Sequence, residues 1–348
     1  MCEAPPGEHH AKSGRRTALD LFSADATKEI PGVNVYWRTL LPQAGTKWLH
    51  DDSPLECHEG AAKFLTRTTR AYSIGSCFAL NINRWLSHQG FAMPEVTWGI
   101  HYNSRTILYE LRRAVGLPAP NVEWYIADRS GDIVYADALR HCIDAPDVEQ
   151  LSGIKAQISE DSRREFMASD AFIVTLGLSD IWEVLIDGQP ITLNRAPYLG
   201  ATLLNDAGSE YIGNRFLTVA ECVEDLRQIV RIIRTNKSAE TPIVFTVSPV
   251  PLKHTGSGSH PHVANSRSKA TLLAAIHSFL DECREDPNVS YFPSYEFFQM
   301  NHPDFALWQG DGRHPTTEAV AHVAESFARR YSAEPFSVLP GFTVPQFG

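Results

Sequence analysis

Residues 70–90 read RAYSIGSCFALNINRWLSHQG. The first five form a short strand, Gly75 and Ser76 a tight turn, and from Cys77 the periodicity becomes helical. Phe78, Ile82, Trp85 and Leu86 then share one face, and Gly90 stops the helix. Strand, turn and helix in this order open an α/β sheet. They set Ser76 at the carboxyl end of a strand, beside helix N-terminal amides suited to a developing negative charge.

The same rhythm continues downstream. A helix is predicted from about Arg105 to Val115, then a hairpin in which VEWYIAD and DIVYAD flank a turn at Arg129, Ser130 and Gly131. SRREFMASD reads as helix, and DAFIVTLG as a buried strand ending at Gly177. WEVLIDGQPITLNRAP carries a DG turn between short alternating runs, a second inserted hairpin. Thr218 and Glu221 have capping-box spacing ahead of one long apolar stripe. PIVFTVSP is again a buried strand, residues 266–285 a long helix, NVSYFPSY a further strand, and PTTEAVAHVAESFARRY a closing helix that Pro315 starts. Strands alternating with helices predict a three-layer α/β/α fold with a mainly parallel sheet and inserted hairpins. Residues 1–30 read as a mobile arm, 31–65 as an extension packed on the core, and 332–348, with Pro335, Pro340 and Pro345, as a tail.

Composition narrows the partners. With 41 acidic against 31 basic residues the net charge is −10, which gives no attraction for nucleic acid or anionic lipid. No run approaches the roughly 20 apolar residues of a membrane span, and MCEAPPGEHHAKSGR lacks the apolar core of a signal peptide. A cytoplasmic protein is the expectation. Six scattered cysteines without a CxxC pair read as reduced thiols.

In such a sheet the residues after each strand face the ligand. Three places stand out: Gly75–Ser76–Cys77, Gly177–Leu178–Ser179–Asp180, and DGRHP, where Asp311 and His314 are close enough for the carboxylate to meet one imidazole nitrogen. A serine needs a base, an orienting carboxylate and donors for the tetrahedral oxygen, and these turns supply all three. A Gly-Ser pair alone is as readily a plain turn. Cys77 is a rival nucleophile, read instead as a small apolar side chain behind the turn. His254, His260 and His262 sit in the Gly- and Ser-rich HTGSGSHPH without acidic or cysteine partners, a loop able to cover a site rather than a metal centre. Trp98, Tyr102, Trp182 and Trp308 near strand ends offer flat faces for a sugar, though core packing is the safer reading for any single one. Arg195, Arg267 and Lys269 are candidates for an anionic group or for ordinary surface pairing.

The words IGSCFA, TWGIHYNS, TLGLSD, TVSPVPL, NSRSKATLLAA, SYFPSYE and DGRHPT, in that order across residues 65–325, strongly resemble the GSCFA family, a branch of the SGNH/GDSL hydrolases. The resemblance implies a hydrolase-like domain over 66–331, with insertions near 120–137 and 181–215. It makes Ser76 the nucleophile, Asp311 and His314 the other triad members, and the Ser76 amide an oxyanion donor. Gly99 matches the second-block glycine. The third block is usually GxND but here reads GLSD, so Ser179 or Asn103 stands in for the missing amide. The implied activity is an esterase or O-acyltransferase that needs no metal or organic cofactor. Its implied substrate is an acyl, above all acetyl, ester of a saccharide or other small polar molecule. The alternative is a saccharide-binding module that kept the fold and lost the chemistry.

Overall fold

β1 (Ala71–Gly75) is buried along its whole length, and α1 (Cys77–His88) follows at once. Ser76 is the cap between them, its Oγ accepting from the Phe78 amide at 3.2 Å. The structure, a computed structural model, describes residues 61–127, 131–197, 201–203, 210–299 and 305–346. The arm expected at 1–30, most of the 31–65 extension, and Arg129 and Ser130 lie outside the described residues.

After α1 come α2 (Ser104–Ala114), β2 (Glu123–Ala127), β3 (Ile133–Asp137), the short β4 (Asp144–Ala145) and α3 (Val148–Ala168). β5 (Ala171–Leu176), β6 (Asp180–Ile186), β7 (Gln189–Leu193), β8 (Thr202–Leu203) and β9 (Glu210–Phe216) follow. The chain continues through α4 (Val219–Asn236), β10 (Ile243–Val247), α5 (Pro261–Glu282), β11 (Val289–Phe292), the single-turn α6 (Ser294–Phe297) and α7 (Thr317–Tyr331).

The central sheet is all parallel, in the order β1-β5-β10-β11. Its strands are apolar on both faces because helices cover both. Tyr72, Ile74, Phe172, Val174 and Phe245 pack against α2, α3, α4 and α5, whereas Ala71, Ile173, Val244 and Phe292 pack against α1 and α7. This is the expected three-layer α/β/α arrangement. Two antiparallel sheets are added to it, β4-β3-β2-β8 and β7-β6-β9. The β6–β7 hairpin closes through Asp187 and Gly188, both at positive φ, the two-residue turn that DG favours.

Several boundaries move for local reasons. α5 begins at Pro261 rather than at 266, because His260 caps it and a proline is well suited to the first turn. SRREFMASD is only the end of α3, which Asp147 caps at its start. The capping box of Thr218 and Glu221 starts α4. Residues 333–346 contain no helix or strand, yet Val344 is buried in the α1–α7 cluster and Gln89 bonds the Leu339 backbone twice, at 2.6 and 3.0 Å. No described helix is long and apolar enough to cross a membrane.

Two contacts hold the strand ends. Gly75 has φ +140°, and a Cβ there would lie 2.1 Å from the Thr175 carbonyl oxygen. Lys269 is fully buried, with Nζ donating to the carbonyls of Gly177 (2.7 Å), Ser248 (2.7 Å) and Val250 (2.9 Å). Burial pulls its ammonium down to about 7, while the three carbonyls match the three N–H bonds that only the ammonium form offers.

Gly75→Ala is expected to cost about 3 kcal/mol or more, because the backbone at Thr175 cannot yield as a flexible side chain would. Lys269→Met is expected to cost a similar ~3 kcal/mol by stranding three buried carbonyls. Urea unfolding checks both, and a midpoint matching the parent chain in either variant refutes the corresponding contact.

Candidate active site

A cleft of about 270 Å³ opens at the carboxyl ends of β1, β5 and β10. Ser76, Cys77, Tyr102, Gly177, Trp182, Asn194, Arg195 and Arg313 are on its walls. Ser76 is only 2 % exposed, so its hydroxyl is reached through the cleft and not from open solvent. Gly177 lies against it. A Cβ on Gly177 would come within 3.4 Å of the Ser76 Cβ and 2.6 Å of the Tyr102 carbonyl oxygen, which explains a glycine at this strand end.

The DGRHP loop supplies the second half. His314 Nδ1 lies 2.5 Å from Asp311 Oδ2, and Asp311 Oδ1 accepts from the backbone amides of His314 (2.9 Å) and Arg313 (3.0 Å). Those bonds, the His314 amide foremost, hold the Asp311 carboxyl down at about 2, so it is charged at neutral pH. A carboxylate at Nδ1 fixes the proton there and makes Nε2 an acceptor, the tautomer a general base requires. Nε2 sits 3.1 Å from Arg313 Nη1. Arg313 shares the cleft wall with Ser76, and its Nε donates to Pro251 O at 3.0 Å.

The structure thus joins Asp311 to His314 and sets Ser76 against Gly177, and Arg313, on the cleft wall with Ser76, contacts His314. The other expected residues are placed elsewhere. The Ser76 amide donates to Thr175 O at 3.4 Å, so the N–H expected to meet an oxyanion is turned into the sheet edge. Gly99, at φ +81°, packs by Arg140 and the backbone of the cleft-lining His141 but is not itself among the described residues of the wall. Asn103 caps α2, its Oδ1 accepting from Thr106 N and its Nδ2 donating to Leu193 O. Ser179 is fully buried, with its amide and hydroxyl both bonded to Ser268. Neither proposed substitute for the missing amide faces the cleft.

Asn194 does face it, a residue sequence reasoning passed over. Its Oδ1 accepts from Tyr102 N (2.8 Å) and Thr106 Oγ1 (3.1 Å), and one Nδ2 hydrogen goes to Ile100 O (2.7 Å). The second has no partner among the described residues. The only signal was its place just after the second strand of the DG hairpin.

The rival residues separate in the same way. Burial pushes the Cys77 thiol up, which keeps it protonated beside Ser76. Tyr102 and Trp182 line the cleft, whereas Trp98 is buried in a stack on Tyr72 at 4.2 Å and Trp308 packs on Phe298. Arg195 lines the cleft, Arg267 lies over the Phe216 ring, and Lys269 holds carbonyls beneath the site. His254 is on the wall, while His260 and His262 stack on each other at the start of α5. Their loop is fastened: Thr255 Oγ1 donates to Asp180 Oδ2 at 2.6 Å, and a Cβ on Gly256 would meet the Trp182 ring at 2.6 Å.

No curated protein matches the chain. The family model described as GSCFA family matches residues 70–327, which span β1 through most of α7 and therefore both halves of the site. The chain belongs to the GSCFA family.

Proposed function

We propose that this is a serine-dependent esterase or O-acyltransferase of the SGNH/GDSL hydrolase superfamily, acting through an acyl-enzyme on a small acyl ester, most simply an acetyl ester of a saccharide or similar polar molecule. One arrangement supports the reading: a helix-capping serine shares a cleft wall with Arg313, whose guanidinium contacts Nε2 of an imidazole held at Nδ1 by Asp311.

In this reading Ser76 Oγ attacks the ester carbonyl and its proton passes to His314 Nε2, while Asp311 steadies the imidazolium. The carbon–oxygen bond to the alcohol then breaks, and the leaving alkoxide takes that proton. Water or a second alcohol repeats the sequence in reverse and frees Ser76. With the Ser76 amide bonded to Thr175, the Gly177 backbone and the second N–H of Asn194 serve the tetrahedral oxygen. A volume of about 270 Å³ suits a small acyl group with part of its alcohol, and the Tyr102 and Trp182 rings offer flat faces to a sugar. The chemistry calls for no metal or organic cofactor. The Arg313 guanidinium on Nε2 and the Ser76 amide turned to Thr175 are the observations that favour a non-catalytic saccharide-binding module.

Intact-mass spectrometry after treatment with a fluorophosphonate separates the two. A single adduct on Ser76 is expected, absent in Ser76→Ala and His314→Ala. Asp311→Asn is expected to lower the turnover of any ester substrate by about 10³-fold or more through loss of the correct tautomer. A folded chain that takes no label removes the esterase reading and leaves the binding module.

A further inference from the structure

Residues 100–102 bring three parts of the candidate site together through their backbone. The His101 amide donates to Gly75 O at 2.8 Å, immediately before Ser76. Tyr102 O accepts from Leu178 N at 2.6 Å, immediately after Gly177. Ile100 O and Tyr102 N hold the two ends of the Asn194 amide, at 2.7 and 2.8 Å. Asn194 is therefore bound to the same short stretch of chain that fixes the serine turn and the Gly177 wall.

These bonds settle which way the amide lies. A carbonyl can accept only from its NH2 end, and a main-chain N–H can donate only to its oxygen. With Nδ2 on Ile100 O and Oδ1 on Tyr102 N, the direction of the second N–H is fixed. Asn194 is 2 % exposed and lines the cleft.

Thr106, in the first turn of α2, adds a further hold on the same amide. Its fully buried hydroxyl lies 3.1 Å from Asn194 Oδ1 and 3.3 Å from Asn103 O, and toward both of these oxygens it is the donor. α2 is itself secured. Glu110, one turn further on, is fully buried and takes two bonds from Arg140, at 2.7 and 3.1 Å, with Arg113 at 3.4 Å. His141, next to Arg140, gives its amide to Ile100 O at 3.2 Å. A buried ion pair is costly unless its geometry is good, and here it locks α2 to the segments around Asn194.

We propose that Thr106 is a positioning residue that acts through Asn194: its hydroxyl, on a helix secured by the Glu110–Arg140 pair, keeps the second N–H of Asn194 turned toward the oxygen that gains charge when Ser76 attacks. The inference rests on the serine-esterase reading. A donor of this kind is used in the transition state and not in ground-state binding, so loosening it slows the covalent step and leaves affinity alone.

The test follows formation of the Ser76 adduct on the full chain by intact mass, at several concentrations of a neutral alkyl fluorophosphonate. Ser76 bonds to phosphorus, fluoride leaves, and charge gathers on the phosphoryl oxygen, so the probe reads the same donors. Asn194→Ala is expected to lower the maximal rate by about 10²-fold. Thr106→Val, which nearly keeps the shape, is expected to lower it by about tenfold, the scale of one hydrogen bond, with the half-saturating concentration unchanged. Thr106→Ser keeps the hydroxyl and should recover most of that loss. Thr106→Val added to Asn194→Ala should cost nothing further, whereas a residue with only a structural role would slow both backgrounds alike. Thr106→Ala takes the place of the valine variant if urea unfolding shows the latter not to fold. A parent-like rate without the Thr106 hydroxyl, or the same loss in both backgrounds, overturns the inference, while labelling of the parent chain at Ser76 keeps the esterase reading. A folded parent chain that takes no label removes that reading and this inference with it.

Discussion

The ammonium of Lys269 gathers three carbonyls, Gly177 at the end of β5 and Ser248 and Val250 beyond β10, into one buried cluster. Enclosing a charge is costly, and three short charge-assisted bonds are what offset it. The arrangement ties two strand ends to α5. Gly177, Ser248 and Val250 also line the cleft, so the bonds that hold the lysine in place set the shape of the wall facing Ser76. On the other side, the bare Cα of Gly75 lets β1 come against the Thr175 carbonyl and delivers Ser76 to the same level. Backbone brought close to backbone, at positions where a side chain would not fit, makes the floor of the site.

Above that floor the chemistry divides. The Asp311 carboxyl takes two backbone amides and one imidazole nitrogen, a set of donors that keeps it charged and keeps His314 in a single tautomer. The remaining nitrogen of His314 contacts Arg313, one residue earlier in the chain and fastened at Nε to Pro251. The candidate base and the guanidinium in contact with it are thus neighbours on one short loop. Gln309 braces that loop, donating from its backbone to His314 O and from its side chain to Pro315 O and to Pro345 O of the tail.

Much of this was legible in the residues. Unbroken apolar runs such as DAFIVTLG and PIVFTVSP can be buried only between two helical layers, and so disclosed the parallel sheet. The DG pair disclosed its turn, and Thr218 with Glu221 the start of α4, because each depends on chemistry within four residues. Longer-range arrangements were hidden. Nothing local marks Lys269 as internal, since its three partners come from other segments. Asn103 and Ser179 looked like amide or hydroxyl donors until Thr106, Leu193 and Ser268 claimed them. Asn194 was obscured by its place in a hairpin that seemed peripheral. The prolines of the tail mark a stretch without helix or strand, but proline content does not foretell that Val344 is buried or that Gln89 holds Leu339.

The hairpin itself has a wider consequence. Ser76, Asp311 and His314 stand on segments continuous with the parallel sheet, whereas Trp182, Asn194 and Arg195 come from β6, β7 and the residues just beyond. Among the described residues those strands pair only with each other and with β9, and none of their ladder bonds belongs to the central sheet. The candidate triad and the aromatic and basic residues of the wall therefore stand on separable pieces of chain. Substitutions within the hairpin can reshape one wall of the cleft without disturbing a described bond of the central sheet.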